Sequence, residues 1–181
     1  MLDNGLLSFA TFHPSPNFNA RPAPDDVSLL IIHNISLPEG QFGGDYIDDL
    51  FLNRLDVNAH PDFQRLDLAN LKVSSHLVIR RDGDVIQYVP FHARAWHAGR
   101  SSFEGREDCN DYAIGIELEG TDTVPFTPIQ YEKMTKIIRI LQGCYPKITR
   151  DRIVGHCDVA PGRKTDPGEA FDWQHVDNAM S

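Results

Sequence analysis

Only three cysteines, Cys109, Cys144 and Cys157, occur in this chain of 181 residues. An odd number without a CxxC pair argues against a disulfide framework. No stretch is long and apolar enough to span a membrane, so no membrane partner is expected. Basic residues are scarce as well, 17 Lys and Arg against 26 Asp and Glu, for a net charge of -9. A general nucleic-acid binder needs a basic surface for its phosphate contacts, and that class is set aside. The first residues, Met1-Leu2-Asp3-Asn4-Gly5, lack the positive region and apolar core of a secretory signal. Together these absences favour the cytoplasm. Repeats and low-complexity segments are missing too, which leaves one domain over residues 1–181 with enough chain for a proper core. Its 41% hydrophobic and 24% charged residues are those of an ordinary globular protein.

What is present concentrates in Gly155-His156-Cys157-Asp158-Val159-Ala160-Pro161-Gly162-Arg163-Lys164-Thr165-Asp166-Pro167-Gly168. A histidine, a lysine and an aspartate share one loop fenced by Gly and Pro. Imidazole and carboxylate are ordinary zinc ligands, and a lysine between them suits developing negative charge. A catalytic zinc usually takes three protein ligands and keeps one position open, so a third ligand and a general base must lie elsewhere.

Residues 1–26, rich in Pro, Asn and Asp, read as an irregular arm packed on the domain. Val27–His33 is a nearly continuous apolar run, the mark of a central strand buried on both faces, and it delivers His33 to a loop. Pro38–Gly44 is a glycine-punctuated loop, and Asp45 offers an N-cap for a helix along Tyr46–Leu55. Val73–Arg80 and Val85–Pro90 flank an Asp-Gly turn and form a hairpin, with His76 as a structural hydrogen-bonding residue. His13, His60, His92 and His175 read as surface residues. Trp96-His97 is either a packed Trp with an edge histidine or a platform for a sugar or peptide. Ala113–Gly120 alternates: Ile114, Ile116 and Leu118 face one way, Gly115, Glu117 and Glu119 the other. Carboxylates on such a strand are costly unless exposed or paired, so either a solvated edge or a cleft explains them. Thr127-Pro128 opens a helix running to about Gly143, Arg152–His156 is a short strand, and a helix around Phe171–Met180 closes the chain. Interleaved strands and helices with a hairpin imply an α/β domain, a mixed central β-sheet flanked by helices.

His33 ending an apolar strand, Trp96-His97-Ala98-Gly99, Ile114-Gly115-Ile116-Glu117-Leu118-Glu119-Gly120 and Gly155-His156-Cys157 with Arg163-Lys164-Thr165-Asp166-Pro167-Gly168 form a pattern. It resembles the zinc-dependent N-acetylmuramoyl-L-alanine amidases, a superfamily that also holds phage amidase lysozymes and peptidoglycan-recognition proteins. Within it the pattern is most similar to the cytoplasmic 1,6-anhydro-N-acetylmuramyl-L-alanine amidases (AmpD type), through His33–Pro38, Phe42–Gly44, Arg80–Gly83 and Arg106-Glu107. The resemblance implies an amidase-like fold and Zn2+ held by His33, His156 and Asp166, with an open position for water. It implies Glu117 as catalytic acid/base and Lys164 as the partner of the oxyanion. Cys157, adjacent to a ligand, reads as packing. The bland reading of Lys164 is a surface pair with Asp158 or Asp166.

The substrate so implied is a small molecule, a 1,6-anhydro-muropeptide from peptidoglycan recycling, cut between the lactyl group and L-alanine by a monomeric enzyme. Its peptide carboxylates call for local basic contacts, for which Lys72, Arg106 and Arg163 are candidates, with Asn34 as a polar contact and Trp96 as an apolar wall. Two alternatives stand beside this: a periplasmic amidase acting on intact wall, and a peptidoglycan-fragment recognition module that does not cut.

Overall fold

The computed structural model describes residues 2–179, and its centre is a six-stranded sheet. In spatial order the strands are Ile153–Gly155, Leu29–Ile35, Ala113–Glu119, Leu77–Ile79, Val85–Gln87 and Thr11–Phe12. The first four run parallel. Leu77–Ile79 and Val85–Gln87 are antiparallel, and Thr11–Phe12 runs parallel to the latter. This is the mixed sheet that the interleaved pattern implied.

Leu29, Leu30, Ile31 and Ile32 are each 0% exposed, as a central strand covered on both faces requires. Burying each contributes roughly 1.5–3 kcal/mol. Leu30 and Ile32 join Ile114, Ile116 and Leu118 against Met134, Ile137, Ile138 and Leu141 of the helix Pro128–Cys144. Leu29 and Ile31 belong to a separate cluster with Tyr112, Cys109 and Val159. Since strand side chains alternate, His33 and the series Gly115, Glu117, Glu119 face away from the long helix. Parallel register then makes Glu117 the direct partner of His33.

The long helix starts where Thr127-Pro128 placed it. The Thr127 hydroxyl accepts from the Gln130 amide at 3.3 Å, and the Gln130 side chain accepts from the Thr127 amide at 3.0 Å. Other boundaries differ from the sequence reading. The helix after Asp45 covers only Tyr46–Phe51, and Asp45 makes no side-chain cap. Asn53 ends it with φ of +59°, and the Asn53 and Asn17 side-chain amides exchange hydrogen bonds of 2.9 Å. Apolar spacing through Leu55 could not register that clamp. The hairpin strands shorten to three residues each around Gly83, whose φ is +90° and where a Cβ would lie 2.4 Å from Ile129. The last helix spans Gln174–Ala179, and Met180 lies outside the described residues.

The N-terminal arm contains short strands rather than being wholly irregular: Leu2–Asp3 pairs with Leu6–Leu7, Thr11–Phe12 edges the central sheet, and Phe18–Ala20 pairs with Ala93–Ala95. Arg21 is a buried anchor of the arm. Its buried guanidinium donates to the carbonyls of Phe91, Asn110, Asp111 and Ala113. Burial lowers its pKa to about 10, which leaves it charged at neutral pH.

Candidate active site

Three neighbouring parallel strands deliver the site. His33 sits near the end of Leu29–Ile35, and Glu117 lies beside it on Ala113–Glu119. His156 directly follows Ile153–Gly155, as the first residue of the short helix His156–Val159. Asp158 caps that helix by accepting from the Gly155 amide at 2.7 Å, so its carboxylate is not available to the site. The loop beyond returns Asp166 to the same point, held there as the Cys157 amide donates to the Asp166 carbonyl at 2.9 Å.

His33 Nδ1, His156 Nδ1 and Asp166 Oδ2 lie 3.0 Å from one another. Among the described residues these three form a group able to hold a metal ion. A tetrahedral zinc with bonds of about 2.0–2.2 Å spaces its ligands roughly 3.2–3.6 Å apart, so the donors need to separate by only a few tenths of an ångström. Their chemistry fits as well. Burial lowers His33 to about 4, against the pull of its Asp166 hydrogen bond, so the ring is neutral at neutral pH. Burial opposes ionisation of Asp166, but hydrogen bonds to His156 and His33 outweigh it and hold the carboxyl well below the usual range. His156 Nε2 lies 3.0 Å from the Ala98 carbonyl, which can only accept; the proton is therefore on Nε2, and Nδ1 carries the free lone pair. On the far side of His33, Nε2 stands 3.0 Å from His97 Nδ1.

The two carboxylates left undivided by alternation separate cleanly. Glu119 accepts from the Gly43 amide at 2.7 Å, the Arg81 amide at 3.1 Å and Arg80 Nη1 at 3.2 Å. It is spent on holding the glycine loop. Glu117 Oε2 is buried without a hydrogen-bond partner among the described residues. Burial, then the nearby Asp166 charge, push its pKa well above the usual carboxylate value, with Lys164 pulling the other way. A buried carboxyl whose proton is held more tightly than usual is a candidate acid/base.

Lys164 is exposed at the cleft rim, and among the described residues no ion pair joins it to Asp158 or Asp166. The cleft itself is about 210 Å³ and brings His33, Glu117, His156, Lys164 and Asp166 together. Asn34 and Trp96 line it too. Asn34 Nδ2 donates to Asp122 at 2.7 Å and to the Pro167 carbonyl at 3.1 Å, so its amide nitrogen braces the ligand loop. Trp96 Nε1 donates to Asn19 of the arm at 2.7 Å. Lys72 does not line the cleft; it stands exposed between Leu71 and Val73, which do. Arg106 is not brought there either, being paired with Asp26 at 2.5 Å and stacked on Tyr112. Arg163 donates to the Ala98 and Arg100 carbonyls at 2.6 and 2.7 Å. The apolar wall of Ile35, Leu50, Phe51 and Leu71, and the Ala98 carbonyl, went unread in the sequence. A carbonyl carries no sequence signal, and nothing in the sequence distinguishes an apolar residue that lines a cleft from one that fills a core.

His76 is fully buried, with Nδ1 accepting from the Gly115 amide at 3.0 Å, the structural role expected of it. His60, read as a surface residue, caps the helix Pro61–Arg65.

Residues 23–169 match the family model described as N-acetylmuramoyl-L-alanine amidase. The chain is 54% identical over 173 residues to the 1,6-anhydro-N-acetylmuramyl-L-alanine amidase AmpD of Escherichia coli K12, covering 96% of this chain and 93% of that protein. A crystal structure of a selenomethionine AmpD derivative matches with a TM-score of 0.96 at 51% identity, covering 100% of this chain and 99% of that one. The E. coli amidase AmiD, solved in complex with anhydro-N-acetylmuramic acid-L-Ala-D-γ-Glu-L-Lys, matches with a TM-score of 0.62 at 29% identity over 89% of this chain and 60% of that one. With its fold, its metal-competent triad and similarity along nearly the whole length, the chain belongs to the N-acetylmuramoyl-L-alanine amidase family, within its AmpD-type branch.

Proposed function

We propose that this enzyme hydrolyses the amide between the lactyl group of 1,6-anhydro-N-acetylmuramic acid and L-alanine in muropeptides, a step of peptidoglycan recycling. The reading rests on one observation above others: an unpartnered, buried carboxyl, Glu117, faces the same cleft as the His33–His156–Asp166 triad. His33, His156 and Asp166 would hold Zn2+, which when bound would supply Lewis-acid polarisation of the scissile carbonyl and a water with its pKa lowered to about 7. Glu117 takes a proton from the attacking water and hands it to the leaving amine of L-alanine. Lys164, exposed beside it, places its ammonium where the tetrahedral oxyanion gathers charge.

A 210 Å³ cleft accommodates the reacting amide and its immediate neighbours, while drug-sized ligands take about 300–1,000 Å³. The sugar and the distal peptide therefore rest on the rim. Trp96 supplies an apolar wall and Asn34 a polar contact through its remaining oxygen. Lys72, Arg106 and Arg163 are the proposed cations for the peptide carboxylates; Arg106 must leave Asp26 to serve, and Arg163 must serve with nitrogens other than the Nη2 that holds the Ala98 and Arg100 carbonyls. The enzyme works as a monomer of one amidase domain, residues 1–181 with 1–26 as a packed arm. Its place is the cytoplasm, where a soluble anhydro-muropeptide is met. No described helix is long and apolar enough to cross a membrane.

Zinc-loaded protein given anhydro-muramyl tripeptide and, separately, whole sacculi should release free tripeptide from the soluble substrate, read by mass spectrometry. A strong preference for sacculi overturns the assigned substrate, and tight binding of muropeptide without release overturns the assigned chemistry.

A further inference from the structure

The reading of His33 as a metal ligand places a demand on its other nitrogen. If Nδ1 gives its lone pair to a metal, the ring proton is on Nε2 and needs an acceptor, since a buried N–H without one is costly. The atom that meets Nε2 is His97 Nδ1, at 3.0 Å, with the two rings edge to face at 89°.

The fold is built to put His97 there. Its ring lies on Gly115 of the central strand, where a Cβ would come within 2.6 Å of His97 Cγ and Nδ1, so glycine at 115 makes the room. The Asn110 side chain accepts from both the His97 and Ala98 amides, at 3.1 and 2.8 Å, and fixes the backbone. Behind it His76 stands edge-on, tied to the Gly115 amide and the Ala93 carbonyl. His97 Nε2 meanwhile is buried with no partner among the described residues. With Nδ1 accepting from His33, the His97 proton sits on that Nε2, so the ring bears the cost of one buried unpaired N–H for the contact its other nitrogen makes.

We propose that His97 is a positioning residue: its Nδ1 accepts the Nε2 proton of His33 and so holds His33 with Nδ1 turned to the metal. The next residue does the same for the second imidazole, because the Ala98 carbonyl accepts from His156 Nε2. One two-residue segment thereby orients both histidine ligands, one through a side chain and one through the backbone.

The test is zinc affinity, measured by competition with a chromophoric chelator, for the parent, His97→Phe and His97→Asn. Phenylalanine keeps the ring and loses the acceptor; asparagine restores an acceptor oxygen near the Nδ1 position. Loss of an orienting partner typically weakens metal binding about 10–100-fold, the expected result for His97→Phe, with His97→Asn within about threefold of the parent. Equal affinity in parent and His97→Phe, or equal loss in both variants, overturns the proposal. Should the variants fold poorly, 15N spectra of the histidine rings in the zinc-loaded parent decide it alone. A proton on His33 Nε2 coupled to His97 Nδ1 is expected, and a proton on His97 Nδ1 contradicts it. A parent that binds no zinc refutes the ligand reading and this inference with it, whereas a parent that binds zinc indifferently to residue 97 refutes only the inference.

Discussion

Glu117→Gln should stabilise the metal-free protein while disabling the enzyme. In the folded chain the Glu117 carboxyl has lost its water and has one oxygen without any hydrogen bond. Burying a carboxylate without a hydrogen bond costs more than burying a neutral amide of the same shape, so removing the charge should recover roughly 1–3 kcal/mol although the amide is itself unpaired. For a chain of this size that is a rise in melting temperature of about 2–4 °C per kcal/mol. The sign of the pH dependence follows from the raised pKa: the folded state holds the proton more tightly than the unfolded one, so Glu117 costs stability above its unfolded value of 4.5. The gap between parent and variant therefore opens as pH rises above the unfolded value and closes as pH falls to about 4. A bound divalent cation favours the carboxylate, so the gap should also narrow in zinc-loaded protein. Thermal melts of chelator-treated parent and variant at neutral and acid pH measure this. Equal melting at neutral pH, or a gap unchanged in acid, refutes the argument.

In turnover, the same Glu117→Gln change should retain zinc by elemental analysis yet lose about 10²–10⁴-fold in kcat, the usual worth of a general acid/base. Lys164→Met should lower kcat by about 10²–10³ with little change in KM or zinc content, as for loss of one oxyanion donor; an unaltered kcat returns Lys164 to the surface. Glu119→Ala, three hydrogen bonds poorer but leaving Arg80 with Asp48 at 3.8 Å and the Gly44 carbonyl, should destabilise by roughly 2–4 kcal/mol in urea unfolding without changing zinc affinity. Three buried histidines, His33 (about 4), His76 and His97, have pKa values pressed down by burial. The unfolded chain takes up their protons first as pH falls, so metal-free stability should drop between pH 6.5 and the depressed values, by up to roughly 1.4 kcal/mol per pH unit for each. A flat urea midpoint across that range contradicts it.

How far the sequence carried the reading depended on whether local signals and long-range contacts agreed. The Thr127-Pro128 start survives intact because a capping box is a local fact, and the run Val27–His33 is a buried central strand displaced to Leu29–Ile35, since pairing with Ala113–Glu119 sets its ends. Glu117 and Glu119 did not separate by alternation, since both share one face. What divides them is the distant Arg80 and the Gly43 amide, reached only in three dimensions. Arg106 and Arg163 show the same limit from the other side. Both are basic residues in suggestive loops, and both are engaged by partners far off in the chain: Asp26 for one, the carbonyls of Ala98 and Arg100 for the other. His97 was visible as a residue beside Trp96, but its bond to His33 spans 64 positions and no spacing announces it.

The central claim is that a metal held by His33, His156 and Asp166 drives amide cleavage. The most direct measurement follows the products of anhydro-muramyl tripeptide by mass spectrometry, before chelation, after chelation and after zinc is restored. The account predicts free tripeptide that disappears on chelation and returns with zinc. Undiminished release from protein shown to be free of metal, or intact substrate from protein with zinc at the triad, would contradict it.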